Sequence, residues 1–528
     1  MAEVLNAAAW LTERNVAEGR GENVAVRCGD RQWNYEELTA EVRRVAGGLR
    51  AMGVRPEERV MLFMVDGPEL FTGILGAMYL GAVAVPVSTM LTGADLSKLV
   101  VDSRARVLVG SAEFAEVVRA GSAEARDLHD VVLTGSDVGG LPRGVQRHGW
   151  SDLVAAGESE GEQLGSFGSW PDSPALWLYT SGTTGTPKGA MHRHTDIRFV
   201  AETYGQQVLG IRPDDVSVSV AKLFFAYGIG NSMFLPLSVG ATTVLEPARP
   251  TPEVFAALLT GQTPTLFFGV PTFYAGLLAS DIADDSFSSV RQGASAGEPL
   301  PAKIFERMKE RFGIEVLDGI GSTETLHIFL SNRPGQVNPG SSGTPVPGYE
   351  VQIRADDGSA IEAAGEPGTL FVHGESIATG YWCRTEVNRA VFQGEWMRTG
   401  DTYVRNDDGT YTCLGRDDDM MKAGGIWVTP AEVEERLLEH PDVAEVAVVG
   451  VPDSEGLDKP VACVVAAPGA QLDPDALIAH CRQGLAAFKR PREVVVVEEL
   501  PKTATGKVQR FAVRDIVSEH LASSRAER

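Results

Sequence analysis

At 528 residues the chain is too long for one compact core, and at least two domains are expected. Its 43% hydrophobic and 22% charged residues are ordinary for a globular protein in water, but 47 basic against 71 acidic side chains give a net charge of −24. That balance excludes a nucleic-acid binder and a partner of anionic membrane surfaces, whose phosphates demand clustered Lys and Arg, and leaves room for a small anionic ligand held by local charge.

The N-terminus carries Glu3, Glu13 and Arg14 and no apolar signal-peptide core. Residues 38–52 have the spacing of an amphipathic helix, and residues 59–65 and 105–110 read as strands. Residues 70–94 carry no charge and are long enough to cross a bilayer. Gly73, Gly76, Gly81 and Pro86 interrupt them, so a buried helix ending near Gly81 and a buried strand over 83–87 are expected instead, with no membrane partner. Ala175-Leu-Trp-Leu178 predicts another short buried strand. Helical and strand-like patterns alternate to about residue 415, which implies α/β architecture with mainly parallel sheets flanked by helices.

A charged, glycine-bearing stretch, Gly415-Arg-Asp-Asp-Asp-Met-Met-Lys-Ala-Gly-Gly425, marks the clearest boundary. Beyond it, Thr429 as N-cap and Pro430 in the first turn predict a helix over 429–439, and strands follow over 443–449 and 460–466. The expected division is a large domain over 1–416, a hinge region over 417–425 and a small mobile α+β domain over 426–528. The five cysteines (Cys28, Cys383, Cys413, Cys463, Cys481) are widely spaced without a Cys-x-x-Cys pair. They read as the reduced thiols of a cytoplasmic protein, not a disulfide frame or zinc site.

The densest chemical signal is Tyr179-Thr-Ser-Gly-Thr-Thr-Gly-Thr-Pro-Lys-Gly189. After Tyr179 come five hydroxyl side chains (Thr180, Ser181, Thr183, Thr184, Thr186), three glycines (Gly182, Gly185, Gly189) and Lys188. Glycines let backbone N–H groups close on a ligand, hydroxyls add donors and Lys188 adds a point charge, which are the needs of a triphosphate cradle. A flexible linker of the same composition would not be expected to follow a strand or to end in Pro-Lys-Gly. It is not a Walker A loop, because Lys188 lies between Pro187 and Gly189 where that motif needs Gly-Lys-Ser/Thr.

This segment resembles the phosphate-binding signature of the adenylate-forming superfamily, which contains acyl- and aryl-CoA ligases, peptide-synthetase adenylation domains and beetle luciferase. Further matches follow in the family's order: Gly319-Ile-Gly-Ser-Thr-Glu324, Thr399-Gly-Asp401, Gly415-Arg416 and Pro501-Lys-Thr-Ala-Thr-Gly-Lys507. By these residues the chain is identified as a member. The resemblance implies a large N-terminal domain, a mobile C-terminal domain, and the use of ATP, Mg²⁺ and coenzyme A.

The resemblance also implies residue roles. Thr180, Ser181, Gly182, Thr183, Thr184, Gly185 and Lys188 wrap the ATP phosphates. Glu324 is the Mg²⁺-associated carboxylate, a hard oxygen ligand suited to that ion, and Thr323 contacts the α-phosphate. Ala296, Gly297, Glu298, Asp318, Gly319, Ile320, Gly321 and Ser322 frame the nucleotide; Ile320 departs from the aromatic residue the family often has between these glycines. Asp401 and Arg416 contact the ribose, and Lys507 is the catalytic lysine of adenylation. Asp418 is the hinge, after whose turn Lys422, Gly424 and Gly425 line the route of the CoA thiol. Lys489, Arg490 and Arg492 read either as partners for CoA phosphates or as a solvated basic turn.

Lys222-Leu-Phe-Phe-Ala-Tyr-Gly-Ile-Gly230 and Thr325-Leu-His-Ile-Phe-Leu330 are similar to their counterparts in benzoate–CoA ligases. By that similarity Ala226, Tyr227, Ala296, Gly321, His327 and Ile328 line the acid pocket. Small residues at 226, 296 and 321 leave a flat slot, Tyr227 and Ile328 give it apolar walls, and no carboxylate is present to pair with an α-amino group. His327 reads equally as a satisfied core histidine. Benzoate or a closely related aromatic acid is the expected substrate of an AMP-forming ligase that is monomeric or homodimeric. The alternative is an aryl acid adenylation enzyme that loads a carrier-protein phosphopantetheine.

Overall fold

The computed structural model describes residues 4–135, 140–161, 164–181, 187–416, 421–423, 426–428, 430–452, 458–502 and 508–526. The chain divides into two compact units: Met1–Val351 with Val372–Met397, and Gln352–Phe371 with Arg398–Arg528.

Two sheets build the first unit. One orders its strands Gln146–Gly149, Asp130–Thr134, Val107–Ser111, Arg59–Phe63, Val83–Pro86, Pro174–Ser181 and Pro187–Arg193; all neighbours are parallel except the last pair. The other has a parallel centre of Val316–Gly321, Gln292–Ser295, Leu266–Gly269, Val216–Ser219, Thr242–Val244 and Val24–Cys28, with antiparallel strands at both edges. Mainly parallel sheets flanked by helices are therefore the observed fold.

Local chemistry explains the element ends. Helix Tyr35–Ala51 begins three residues earlier than its apolar spacing predicts, because Asn34 and Glu37 form a reciprocal capping box. Strand Arg59–Phe63 stops two residues short of expectation, and there the Val65 N–H bonds the side-chain hydroxyl of Ser111 on the neighbouring strand instead of a backbone carbonyl. Strand Val107–Ser111 starts late since the Ala105 N–H closes the preceding helix on the Val100 carbonyl, after Arg104 at φ 51. The uncharged stretch resolves into helix Pro68–Tyr79, with Pro68 in its first turn, and the fully buried strand Val83–Pro86. No helix among the described residues is long and apolar enough to cross a membrane.

A single core cluster joins the helices over the first sheet (Val42, Val45, Phe71, Ile74, Met78) to Leu223, Ala226 and Ile229. The second sheet packs on rings: Phe267 lies 5.0 Å from Phe287 and 5.9 Å from Tyr274, centroid to centroid. Ser181, Ser219, Ser295 and Gly321 all end strands of these parallel sheets, the place where open α/β folds bind ligands.

In the second unit, residues 401–405 of strand Trp396–Arg405 pair antiparallel with strand Tyr411–Arg416. Strand Asp458–Ala466 pairs antiparallel with Val443–Pro452 and parallel with Glu493–Val497. Helices Pro430–Leu438 and Pro474–Gly484 bring Val433, Leu437, Leu477 and Cys481 into one apolar cluster with this sheet, and helix Arg510–Ala526 brings Val513 and Val517 into another. The expected N-cap Thr429 lies outside the described residues.

Candidate active site

Strands Pro174–Ser181 and Pro187–Arg193 pair Thr180 with Lys188 and Ser181 with Pro187. Ser181 and Pro187 are thus one strand spacing apart, about 5 Å. Gly182, Thr183, Thr184, Gly185 and Thr186 lie outside the described residues. Lys188 Nζ sits 5.3 Å from the centroid of the Tyr381 ring, within cation–π range. The Tyr381 hydroxyl donates to Glu324 Oε1 at 2.5 Å. One tyrosine therefore brings together the lysine of the first motif and the glutamate of the second.

Glu324 rides on the short turn Thr323–Thr325, in which Ser322 and Thr325 cap one another at 3.1 and 3.2 Å. Each carbonyl of that turn is taken by a different group. His192 Nε2 donates to Thr323 O at 2.8 Å, the Ala378 N–H to Glu324 O at 2.7 Å, and Ser376 Oγ to Thr325 O at 2.8 Å. His192 Nδ1 lies 3.1 Å from Asp196 Oδ2, and both side chains are fully buried. The turn closes at Leu326, buried and held at φ 66. Such a backbone conformation costs on the order of 1–3 kcal/mol and persists only where its surroundings enforce it.

Leu326 delivers His327 and Ile328, both buried, into strand Ile328–Ser331. The His327 ring lies 5.7 Å from Tyr227 and 4.9 Å from Tyr204. Burial pushes its pKa down to about 3, so the ring is neutral. Nε2 then donates to Asn231 Oδ1 at 3.0 Å, and Nδ1 is a buried acceptor with no hydrogen-bond partner among the described residues. Ala226 and Tyr227 open the short helix Ala226–Ile229 that faces this ring. At Gly321 an added Cβ would meet the His327 carbonyl oxygen at 2.5 Å, so the bare backbone is required for the two strands to approach.

The nucleotide candidates converge from adjacent strands, Ser295 lying opposite Asp318. Ala296, Gly297 at φ 98 and Glu298 thus leave the sheet beside Gly319 and Ile320. Burial pushes the Asp318 carboxyl well above its ordinary range, opposed by the Leu300 and Gly319 backbone N–H groups. Its Oδ1 is buried without a hydrogen-bond partner among the described residues. In the second unit, Asp401 and Arg416 are opposite one another on paired strands, with Arg416 Nη1 2.9 Å from Asp401 Oδ1. The Asp401 N–H is steadied by Thr399 Oγ1 at 3.1 Å.

Among the described residues no group of three His, Cys, Asp or Glu could cage a metal. Mg²⁺ is suited instead by one or two carboxylates completed by phosphate oxygens, and Glu324 is a half-buried carboxylate with one oxygen fixed by a phenol. Lys507, Asp418, Gly424 and Gly425 lie outside the described residues, and Lys422 is placed only as the backbone partner of Trp427. Of the basic turn, Lys489 is committed to Glu432 at 2.6 and 2.7 Å, and Arg490 donates to the Leu485 carbonyl at 2.9 Å.

A model of the family of AMP-binding enzymes matches residues 13–382, and a model of the C-terminal domain of AMP-binding enzymes matches residues 432–507. The chain belongs to the AMP-binding enzyme family. It is 43% identical over 518 residues to a benzoate–CoA ligase of Thauera aromatica, covering 97% of this chain and 96% of that protein. A solved benzoate CoA ligase from Burkholderia xenovorans LB400 superposes with a TM-score of 0.87 at 41% identity, over 97% of this chain and 100% of that one. An anthranilate CoA ligase solved with anthranoyl-AMP gives 0.90 at 38% identity, over 98% of each chain. CoA ligases of this family use ATP, Mg²⁺ and coenzyme A.

Three residues of this AMP-binding enzyme's site escaped the motifs. Tyr381 and Ser376 act on Glu324 and Thr325 from a segment with no signature of its own. His192 had a faint one: it is paired with Asp196 four residues on, a spacing that suits a mutual contact, three residues after the Pro-Lys-Gly end of the first motif.

Proposed function

We propose that this protein is an AMP-forming benzoate–CoA ligase. Benzoate attacks the α-phosphorus of ATP, forming a carboxyl–phosphate anhydride and releasing pyrophosphate. The CoA thiol then attacks the acyl carbon, AMP leaves, and the thiol proton passes to solvent. The observation that carries the reading is Ala226, Tyr227, His327 and Ile328 gathered beside the turn that bears Glu324. A neutral His327 ring and the Tyr227 ring, tilted 38° to one another, form an aromatic wall without charge, suited to an aryl group and unsuited to an ammonium.

In this reading Thr180, Ser181, residues 182–185 and Lys188 bind the ATP phosphates, and Glu324 with phosphate oxygens holds Mg²⁺, which supplies charge neutralisation at the phosphates. Tyr381 fixes the orientation of Glu324. Asp318 and residues 296–298 receive the adenine, Asp401 and Arg416 the ribose, and Lys507 the reacting carboxylate and α-phosphate. The domain division over 1–416, 417–425 and 426–528 belongs to the same proposal, with Asp418 as the pivot and Lys422, Gly424 and Gly425 serving the thiol.

Incubation with benzoate, ATP, Mg²⁺ and CoA is expected to yield AMP, pyrophosphate and benzoyl-CoA in equal amounts. Turnover confined to medium- or long-chain fatty acids would remove the aryl assignment. Release of ADP and phosphate would remove the mechanism, and thioester formed only on a holo-carrier protein would replace CoA as the acceptor.

A further inference from the structure

We propose that Asp66 is a positioning residue that sets the width of the acid pocket by holding the backbone of the pocket loop. The inference rests on the reading of Ala226 and Tyr227 as pocket residues.

Asp66 follows strand Arg59–Phe63 of one sheet, and the pocket loop follows strand Val216–Ser219 of the other. Both Asp66 carboxyl oxygens accept from the Leu223 N–H, at 3.0 and 3.2 Å. Leu223 is fully buried, Asp66 is 6% exposed, and Ala226 lies three residues further on. The next residue back is tied on another side: Lys222 Nζ donates to the carbonyls of Glu246 and of Ala248, the latter at 2.8 Å. Beyond these ties the loop coils tightly. The Phe225 N–H returns to the Lys222 carbonyl at 3.0 Å, and a Cβ at Gly228 would lie 1.9 Å from the same oxygen.

The helix bearing Ala226 and Tyr227 thus rests on a turn pinned to the opposite sheet through one carboxyl group. Burial pushes that carboxyl up to about 7, against the pull of the Lys222 charge and the Leu223 N–H. A carboxyl in such a place is costly core filler, and holding the Leu223 N–H is the service it performs. Without it a buried N–H loses its partner, and the loop relaxes toward the space of the ring.

The test is steady-state kinetics on Asp66→Ala, Asp66→Asn and Lys222→Met, with Ala226→Leu run in parallel. Asp66→Ala is expected to raise the benzoate KM ~10-fold with the ATP KM unchanged, the loss appropriate to a buried N–H left unpaired. Its preference for benzoate over bulkier ring-substituted benzoates should fall by a similar factor. Asp66→Asn, which keeps an acceptor, should restore most of both, and Lys222→Met should repeat the effect more weakly from the other tie. If Asp66→Ala fails to fold, the Asn and Met variants decide: wild-type benzoate KM and selectivity in Lys222→Met overturn the proposal.

A lowered melting temperature with unchanged KM and selectivity in Asp66→Ala would make Asp66 merely structural and likewise overturn it. Asp66→Asn losing as much as Asp66→Ala would do the same. If Ala226→Leu leaves benzoate kinetics untouched, the pocket assignment fails and this proposal with it. If Ala226→Leu abolishes benzoate use while Asp66→Ala changes nothing, the pocket stands and only Asp66 is removed.

Discussion

Tyr381 does two jobs with one ring: its face lies over Lys188 and its hydroxyl orients Glu324. The two can be separated. Tyr381→Phe keeps a face for the cation and removes a hydrogen bond to a carboxylate, a loss commonly worth ~1.5–3 kcal/mol. Benzoyl-adenylate formation should slow ~10- to 100-fold in single-turnover pyrophosphate release, while conversion of supplied benzoyl-adenylate by CoA stays near wild type. Equal loss in both steps would place Tyr381 in general stability instead of in Glu324 orientation. Glu324 itself was legible in the sequence, because Gly319-Ile-Gly-Ser-Thr is a local pattern. Tyr381 was not, since its contact with Glu324 is made by the fold across a long stretch of chain. The His327 ring was open between two readings, and its burial decided only its charge.

Elements were legible where one physical cause shapes them and blurred where two compete. Apolar spacing located the helix after Asn34 but not its first turn, which belongs to the Asn34–Glu37 cap. Length alone left the uncharged stretch 70–94 ambiguous between membrane and core, and its glycines resolved it. One element-level fact went unread in the sequence, where Gly47, Gly48, Gly157 and Gly161 were its only sign: helices Tyr35–Ala51 and Trp150–Gly161 cross so closely that a Cβ at Gly157 would lie 1.8 Å from the Arg44 carbonyl oxygen and 2.8 Å from the Gly48 nitrogen. Both obstacles are backbone, so the helices must part. Gly157→Ala is expected to cost ~1–3 kcal/mol or more by overpacking. A clear fall in thermal midpoint, with benzoate kinetics of the folded fraction unchanged at low temperature, is the expected result. An unchanged midpoint would mean the crossing is looser than these distances state.

At the scale of the whole molecule, the reaction sets two demands that one arrangement of groups meets poorly. Adenylation needs a cation on the reacting carboxylate and α-phosphate, whereas thiol attack on the acyl carbon needs that space open. The ordered motifs from Thr180 to Lys507 made the need for both sets legible, but Lys507 and Asp418 lie outside the described residues, so their roles rest on the family motifs alone. On the proposed reading, Lys507 serves only the first step and the segment 422–425 only the second. Lys507→Ala removes a charge that stabilises the adenylation transition state, commonly worth ~3–4 kcal/mol or ~10²–10³ in rate. It should cripple pyrophosphate release from benzoate and ATP, yet still convert supplied benzoyl-adenylate and CoA to thioester. Asp418→Pro should do the reverse, because proline fixes φ and stiffens the pivot: pyrophosphate release continues and thioester synthesis stops. Single-turnover assays of each half-reaction separate the two. If both variants lose both steps in equal proportion, alternation is wrong for this protein, and Lys507 is a binding residue for the whole cycle.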